Sequence, residues 1–464
     1  MTVSQARGGS RIVRPTRAGG PGPAARVTVG LLVGVTLMAL GTGLPGRAEA
    51  AQISGKIQVF ASAEADEQRN KYQENVLRQF EKLYPGVKVT TERGPWPWYT
   101  RFQSLLVSGL APDIWMSAGM YASNQYVEQG VWKDLNPLIA RDKVDLSQYF
   151  QPTLDASTFR GMRYGLPVGM FTDALIYNVD LFNQAGLPDP PHDYDDTSWT
   201  WDKFLDYGKK LTKDRNGDGI PEIWGIDGIG HLDTVAASFG SFPPFSSDFR
   251  KALYDAPGMV KAYQLAQDIQ FKYHISPTYA ERVSLNLGGV AFDRGVAGML
   301  IDFTTRAGNY VGRKDLRFDL AAKPRGPAGP KVLLYLNTLN LIESGPNPEA
   351  AWELIKYLSR PDVLPGLAVY GYNAIPPTKN GALLFVENMK KQRPEVDWLV
   401  FIKGASYAIP VEYWRPNYGE VKAAVDTIGG QIRNNEKDVS SGLKELNERV
   451  QAILDQYWAE KAKK

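Results

Sequence analysis

The chain has 464 residues, 43% of them hydrophobic and 22% charged, which allows roughly two to four folding units and is too polar for a polytopic membrane protein. It has no cysteine, which excludes disulfides, thiolate metal sites, cysteine nucleophiles and a lipid anchor on cysteine. The formal charge of +3 is misleading: residues 1–50 hold six arginines and a single acid, Glu49. The other residues carry 47 basic and 49 acidic side chains, so nothing points to nucleic acid. Three histidines, His192, His231 and His274, are too few to favour a His-based metal or catalytic centre.

Five arginines precede an uncharged run from Val27 to Gly46, and Ala48-Glu49-Ala50 forms an A-x-A site before Ala51. That order reads as a secretory signal peptide over 1–50, cleaved at Ala50-Ala51. The product is expected to be periplasmic or secreted and, lacking cysteine, not a lipoprotein.

Lys56–Ser62 alternates as a strand. Tyr72, Val76, Leu77, Phe80, Leu83 and Tyr84 follow at helical spacing, and Pro85-Gly86 stops the helix. Val87–Thr91 is a second strand, Tyr99–Ser108 a helix and Asp113–Ser117 a third strand. This alternation predicts an α/β fold with a mostly parallel sheet, whose ligands bind beyond the carboxyl ends of the strands. A new start at Gly165 leads to the strand Leu175–Asn178 and a short helix ending at Gly186. Helices are predicted at Trp201–Leu211, Pro257–Lys272, Ala350–Ser359 and Ser440–Trp458, with a turn at Lys323–Pro330 before the strand Val332–Leu336.

The ordered set PGVKV, SGLAPDIW, EQGVWKDL, YGLPVG, LIYNVDLFNQAGL, WTWDKF, AFDRGVAGML, AAWELIKYL and YNAIPPT spans the chain beyond the leader. In this order it resembles the extracellular solute-binding proteins of ABC importers, family 1, the maltose-binding-protein-like group. The resemblance implies a type II-like periplasmic-binding-protein fold: two α/β lobes with a ligand cleft between them. The first lobe is expected over 51–165, the second over 166–331, a return to the first over 332–372, and the rest of the second with the C-terminal helices over 373–464. It further implies a monomeric sugar receptor, no enzyme, that closes on its ligand and delivers it to permease subunits in the membrane.

A sugar site needs aromatic faces for the C–H side of a pyranose and carboxylates or amides for its hydroxyls. The candidates are chosen by position. In the first lobe Glu64 follows the first strand, Trp96 and Trp98 lie in the Pro-flanked loop after the second, and Tyr121 follows the third. Phe171 and Asp173 lie at the first crossing between lobes, and His231 ends a Gly-rich strand. Asp302 and Phe303 follow the apolar strand Ala297–Ile301. Asn337 ends a returning strand, Tyr372 and Asn373 occupy the third crossing, and Trp414 sits before the C-terminal helices. Asp113 is read instead as a loop brace.

The tract from Asp214 through Asn216, Asp218 and Ile220 to Glu222 places oxygen donors at positions 1, 3, 5, 7 and 9 of a calcium-type loop, with Gly219 at position 6. Position 12 is Gly225, so the bidentate glutamate is missing; a structural calcium and a plain turn are the two readings. No other cofactor is required. A glycerophosphodiester, polyamine or peptide receptor is the alternative reading, with Arg306 and Arg415 as phosphate candidates. A secreted glycoside hydrolase is the enzyme alternative.

Overall fold

The computed structural model describes residues 53–95, 98–118, 123–411 and 414–463. The expected leader and cleavage site, Trp96 and Tyr121 lie outside these residues; Trp98 opens a helix, but its side chain lies outside them as well.

The strands in chain order are β1 (Gly55–Ser62), β2 (Val87–Gly94), β3 (Ile114–Ala118), β4 (Thr158–Phe159), β5 (Met162–Arg163) and β6 (Leu166–Asn178). They continue with β7 (Trp224–Gly228), β8 (Ala297–Phe303), β9 (Phe318–Ala321), β10 (Val332–Leu341) and β11 (Ala408–Pro410). The main sheet has the order β2-β1-β3-β10-β6-β8-β7, with β11 on β10 and β9 on β6; β4 and β5 form a separate hairpin. β1 is parallel to β2 and β3, and β7 is parallel to β8, as crossover helices require. β10 and β6 run antiparallel to their main neighbours and carry the chain between the two parallel blocks.

β6 is longer than the four-residue strand predicted at Leu175–Asn178. Its first half, Leu166–Thr172, pairs with β10, and its second half, Asp173–Asn178, pairs with β8 and β9. Pro167 and Gly169 argue locally against a strand. They are accommodated because the register against β10 shifts between Asn337 and Thr338, opposite that stretch. β10 likewise runs five residues past the predicted Leu336.

Each block has its own helical cover. The helix Glu67–Leu83 is capped by Asp66, whose carboxylate accepts from the Gln68 amide, and it buries Val76, Leu77 and Phe80 against β1 and β2. The second block packs helices Trp201–Leu211, Pro257–Gln267, Tyr418–Arg433 and Val439–Lys461 into one core with Leu175, Ile226 and Met299. The predicted helix over 257–272 changes to π-helical geometry at Asp268–Lys272. Among the described residues no helix is long and apolar enough to cross a membrane.

One close approach fixes how the second block packs. The helix Trp201–Leu211 crosses β7 so tightly that a Cβ on Gly225 would lie 1.9 Å from the Gly208 carbonyl oxygen. Backbone cannot retreat as a side chain can, so Gly225→Ala is expected to cost at least about 3 kcal/mol in a urea melt. A loss under 1 kcal/mol would show that the helix slides away freely.

Candidate functional site

The crossing strands bring together residues distant in sequence. Phe171 lies opposite Tyr335 in the β6–β10 register, and Asp173 lies opposite Phe303 in the β6–β8 register. The loop after β7 adds His231, which starts the helix Leu232–Ser238. The three rings meet edge to face: Phe303 and Tyr335 at 5.1 Å, Phe303 and His231 at 5.3 Å, and Tyr335 and His231 at 6.0 Å. All three are half-buried, as is Phe171. Burial lowers the His231 pKa, opposed by the carboxylates of Asp173, Asp233 and Asp302, so the ring is neutral near pH 7.

Asp302 flanks this cluster. One carboxylate oxygen accepts from the Phe303 amide at 2.7 Å and the other from the Arg306 Nε at 3.1 Å. Arg306 also reaches Asp293 at 3.2 Å, so its guanidinium is already neutralised by two acids, which removes it as a phosphate anchor. Asp302 stays half-buried with lone pairs to spare. In the first block Glu64 follows β1. It accepts from the Ser62 hydroxyl at 3.0 Å, and its backbone is clasped by the Asn70 amide through two bonds. Burial raises the Glu64 carboxyl above its ordinary value, against the Ser62 bond and the charges of Arg69 and Arg93.

Four expected contacts take other roles. Asp173 is 1% exposed: its Oδ2 binds the Lys323 Nζ at 2.5 Å and its Oδ1 accepts from the Leu333 amide at 2.8 Å. It is the anion of a buried ion pair beneath the ring cluster, not a free acceptor. Tyr372 is 3% exposed, and its hydroxyl donates to the Met116 carbonyl at 3.3 Å. Asn337 is buried at the register shift of β10. Trp414 stacks one face on Phe159 at 5.0 Å, and its Nε1 donates to the Ala156 carbonyl at 3.1 Å, so it serves first as an anchor for its loop. Asn373 remains half-buried in left-handed backbone, φ 52°, a conformation asparagine tolerates. Arg415 lies with its guanidinium 4.4 Å from the centre of the Tyr418 ring. Asp113, 0% exposed, braces its loop as read, accepting from the Gln58 and Asn347 amides.

Tyr335 and Asp293 were not legible as site residues. Tyr335 sits inside the apolar run of β10, where its spacing marks it only as a strand residue. Asp293 is tied in by Arg306, 13 residues away.

In the calcium-type loop the oxygen donors bond the loop's own backbone, as in a plain turn. Asp214 accepts from the amides of Gly217 and Gly219, Asn216 from Asp218, Asp218 from Ile220, and Glu222 from Arg215. Asp214, Asn216, Asp218 and Glu222 thus bond their own backbone as in Asx turns, and the Ile220 side chain is exposed. Among the described residues no group of three His, Cys, Asp or Glu side chains converges as a metal site. Thorough chelation is therefore expected to leave the melting temperature within about 1 °C. A larger fall, with calcium found by elemental analysis, would restore the cation, since a ligand of the native state stabilises by mass action.

A ring cluster flanked by the half-buried Asp302 suits reversible capture of a solute. Comparison with known proteins agrees. Residues 65–364 match the family model for bacterial extracellular solute-binding proteins. A binding protein of Brucella abortus (strain 2308) is 26% identical over 348 residues, 72% of this chain and 77% of its own. An ABC substrate-binding protein of Listeria monocytogenes, solved in complex with cycloalternan, has a TM-score of 0.71 at 19% identity, covering 87% of this chain and 100% of its own. The cyclic alpha-maltosyl-1,6-maltose binding protein of Arthrobacter globiformis gives 0.71 at 18%, with 87% and 100% covered. These likenesses establish the two-lobed periplasmic-binding-protein fold, and the family is one of binding proteins, not enzymes. The chain belongs to the bacterial extracellular solute-binding proteins.

Proposed function

We propose that the protein is the extracytoplasmic receptor of an ABC importer and captures a sugar or short oligosaccharide between its lobes. The observation that carries this reading is the Phe303–Tyr335–His231 ring cluster beside the half-buried Asp302. Ring edges and faces suit pyranose C–H groups, and acceptors with spare lone pairs suit hydroxyls. Glu64 of the first lobe supplies a second acceptor, and Trp96, Trp98 and Tyr121 are proposed for the facing wall. The relatives solved with cycloalternan and named for cyclic maltosyl-maltose support the class. Closure of the lobes about β6 and β10 then marks the loaded form for the permease. The receptor works as a monomer, periplasmic or secreted, after cleavage at Ala50-Ala51.

Thermal shift followed by calorimetric titration tests this, with neutral mono- and disaccharides against glycerophosphocholine, spermidine and a short peptide. A sugar is expected to raise the melting temperature, corresponding to about 2.7 kcal/mol at a hundred-fold excess over Kd. A response only to the phosphodiester, the amine or the peptide would overturn the sugar reading and leave the family assignment intact.

A further inference from the structure

β1 ends at Ser62, and Glu64 follows at the carboxyl end of this parallel strand, the end at which ligands of such sheets bind. Ala63 and Glu64 belong to no strand or helix, so their backbone groups need partners from elsewhere. The Ala63 N–H donates to the Gly94 carbonyl at 2.9 Å. For Glu64 the partner is the buried side chain of Asn70: its Oδ1 accepts from the Glu64 N–H at 3.1 Å, and its Nδ2 donates to the Glu64 carbonyl at 3.0 Å. The Ser62 hydroxyl then donates to the Glu64 carboxylate itself at 3.0 Å.

One side chain grips both of these holders. Arg93, on β2 opposite Ala61, donates to the Ser62 carbonyl at 3.1 Å and to the Asn70 carbonyl at 3.3 Å. The same guanidinium donates to the Gln73 side chain at 2.7 Å and to the Glu74 carboxylate at 3.0 Å. Gln73 is buried, and its amide in turn donates to the carbonyl of Gly371, the residue before Tyr372, at 2.8 Å. An ion pair between β2 and the helix Glu67–Leu83 would need only the Glu74 contact. The other bonds use the planar fork of arginine to tie the end of β1 to that helix, and a lysine supplies the charge without the fork.

The charges around Glu64 also bear on its ionisation. Burial raises its pKa, the cations of Arg69 and Arg93 oppose that, and Asp66 adds to it. Glu67 reaches Asn70 at 3.4 Å, and Glu74 is paired with Arg93. The buried Tyr372 hydroxyl, whose pKa is raised by burial and then by the Glu64 charge, stays neutral. A carboxylate held in place before the solute arrives has little ordering left to lose on binding; released from its clasp, it must be ordered by the solute.

We propose that Arg93 is a positioning residue of the solute site: through Ser62 and Asn70 it fixes the backbone from which the Glu64 carboxylate meets a hydroxyl of the solute. The proposal rests on the reading of Glu64 as a sugar acceptor. Calorimetric titration of the wild type with glucose, galactose, maltose, lactose and cellobiose selects the sugar bound most tightly. That sugar is then titrated into Glu64→Gln, Arg93→Lys, Arg93→Met and the double variant Glu64→Gln with Arg93→Lys. The stoichiometry reports the folded fraction, so a destabilised variant still yields an affinity. Glu64→Gln should weaken binding about tenfold, the loss of one charge-assisted hydrogen bond. Arg93→Lys, which keeps the charge, should weaken it about three- to tenfold in the wild type and less than about twofold in Glu64→Gln, because its effect passes through that carboxylate. Arg93→Met should in addition move the fall in affinity at acid pH to higher pH. Without the cation Glu64 takes up a proton more readily, and a protonated carboxyl offers fewer acceptor sites. A purely structural brace would lower the melting temperature and leave the coupling and the pH profile unmoved. Arg93 variants that bind as the wild type does, or that lose the same factor with and without Glu64, would overturn the positioning role and leave the site standing. Normal binding by Glu64→Gln would remove Glu64 from the site and the positioning role with it. Binding of none of the five sugars would overturn the sugar reading as well.

Discussion

Lys323→Met is expected to destabilise the ligand-free protein by about 3–5 kcal/mol. Lys323 and Asp173 are each 1% exposed, and the Lys323 ammonium bonds both Asp173 at 2.5 Å and the Thr234 hydroxyl at 2.8 Å. Burial alone lowers the Lys323 pKa, and the neighbouring carboxylate opposes that shift. Removing the ammonium leaves Asp173 charged in the interior, with the Leu333 amide as its one remaining hydrogen-bond donor among the described residues. Breaking a buried pair from one side costs this much because the surviving ion keeps its desolvation penalty. Asp173→Leu combined with Lys323→Met should recover most of the loss, since a well-packed apolar pair carries no such penalty. Urea melts of the two single variants and the double variant measure the coupling. A Lys323→Met loss below about 1 kcal/mol would mean that water reaches Asp173. The pair joins the middle of β6 to the segment between β9 and β10, the strands proposed to bend, so the double variant should also report on closure.

Phe303→Ala is expected to weaken sugar binding by ten- to a hundred-fold, about 1.4–2.8 kcal/mol, with little loss of stability. Phe303 is half-buried and meets its neighbours by its edges, so truncation exposes Tyr335 and His231 and opens no closed cavity. Trp414→Ala should behave in the opposite sense. Its ring lies on Phe159 and its N–H on the Ala156 carbonyl, so the variant loses an anchor and should melt earlier, with affinity falling less. Calorimetry and thermal melts on both variants separate the two roles. If Trp414→Ala loses affinity at unchanged stability while Phe303→Ala binds normally, the site lies on the Trp414 side of the cleft instead.

The local order of elements was readable from residues 55–118 because one-sided burial imposes its own period. Period two in KIQVFAS and helical spacing from Tyr72 to Tyr84 predict a strand and a helix, and the structure forms β1 and the helix Glu67–Leu83 there. Asp113 could be read as a brace because a carboxylate opening a strand finds backbone amides close by. The ordered motifs carried the family. The fate of Asp173 could not be read, because its partner Lys323 lies 150 residues away and only the packing of β6 against the segment after β9 joins them. Position in the chain said only that Asp173 stood at a strand crossing; burial decided whether its charge faced a solute or an ammonium. The same holds for Tyr372, whose hydroxyl is taken up by the Met116 carbonyl, 256 residues distant. Sequence determines which side chains a segment can offer to one face. Which of them remain unpaired, and so free to bind, is set by long-range partners that exist only once the sheet has formed.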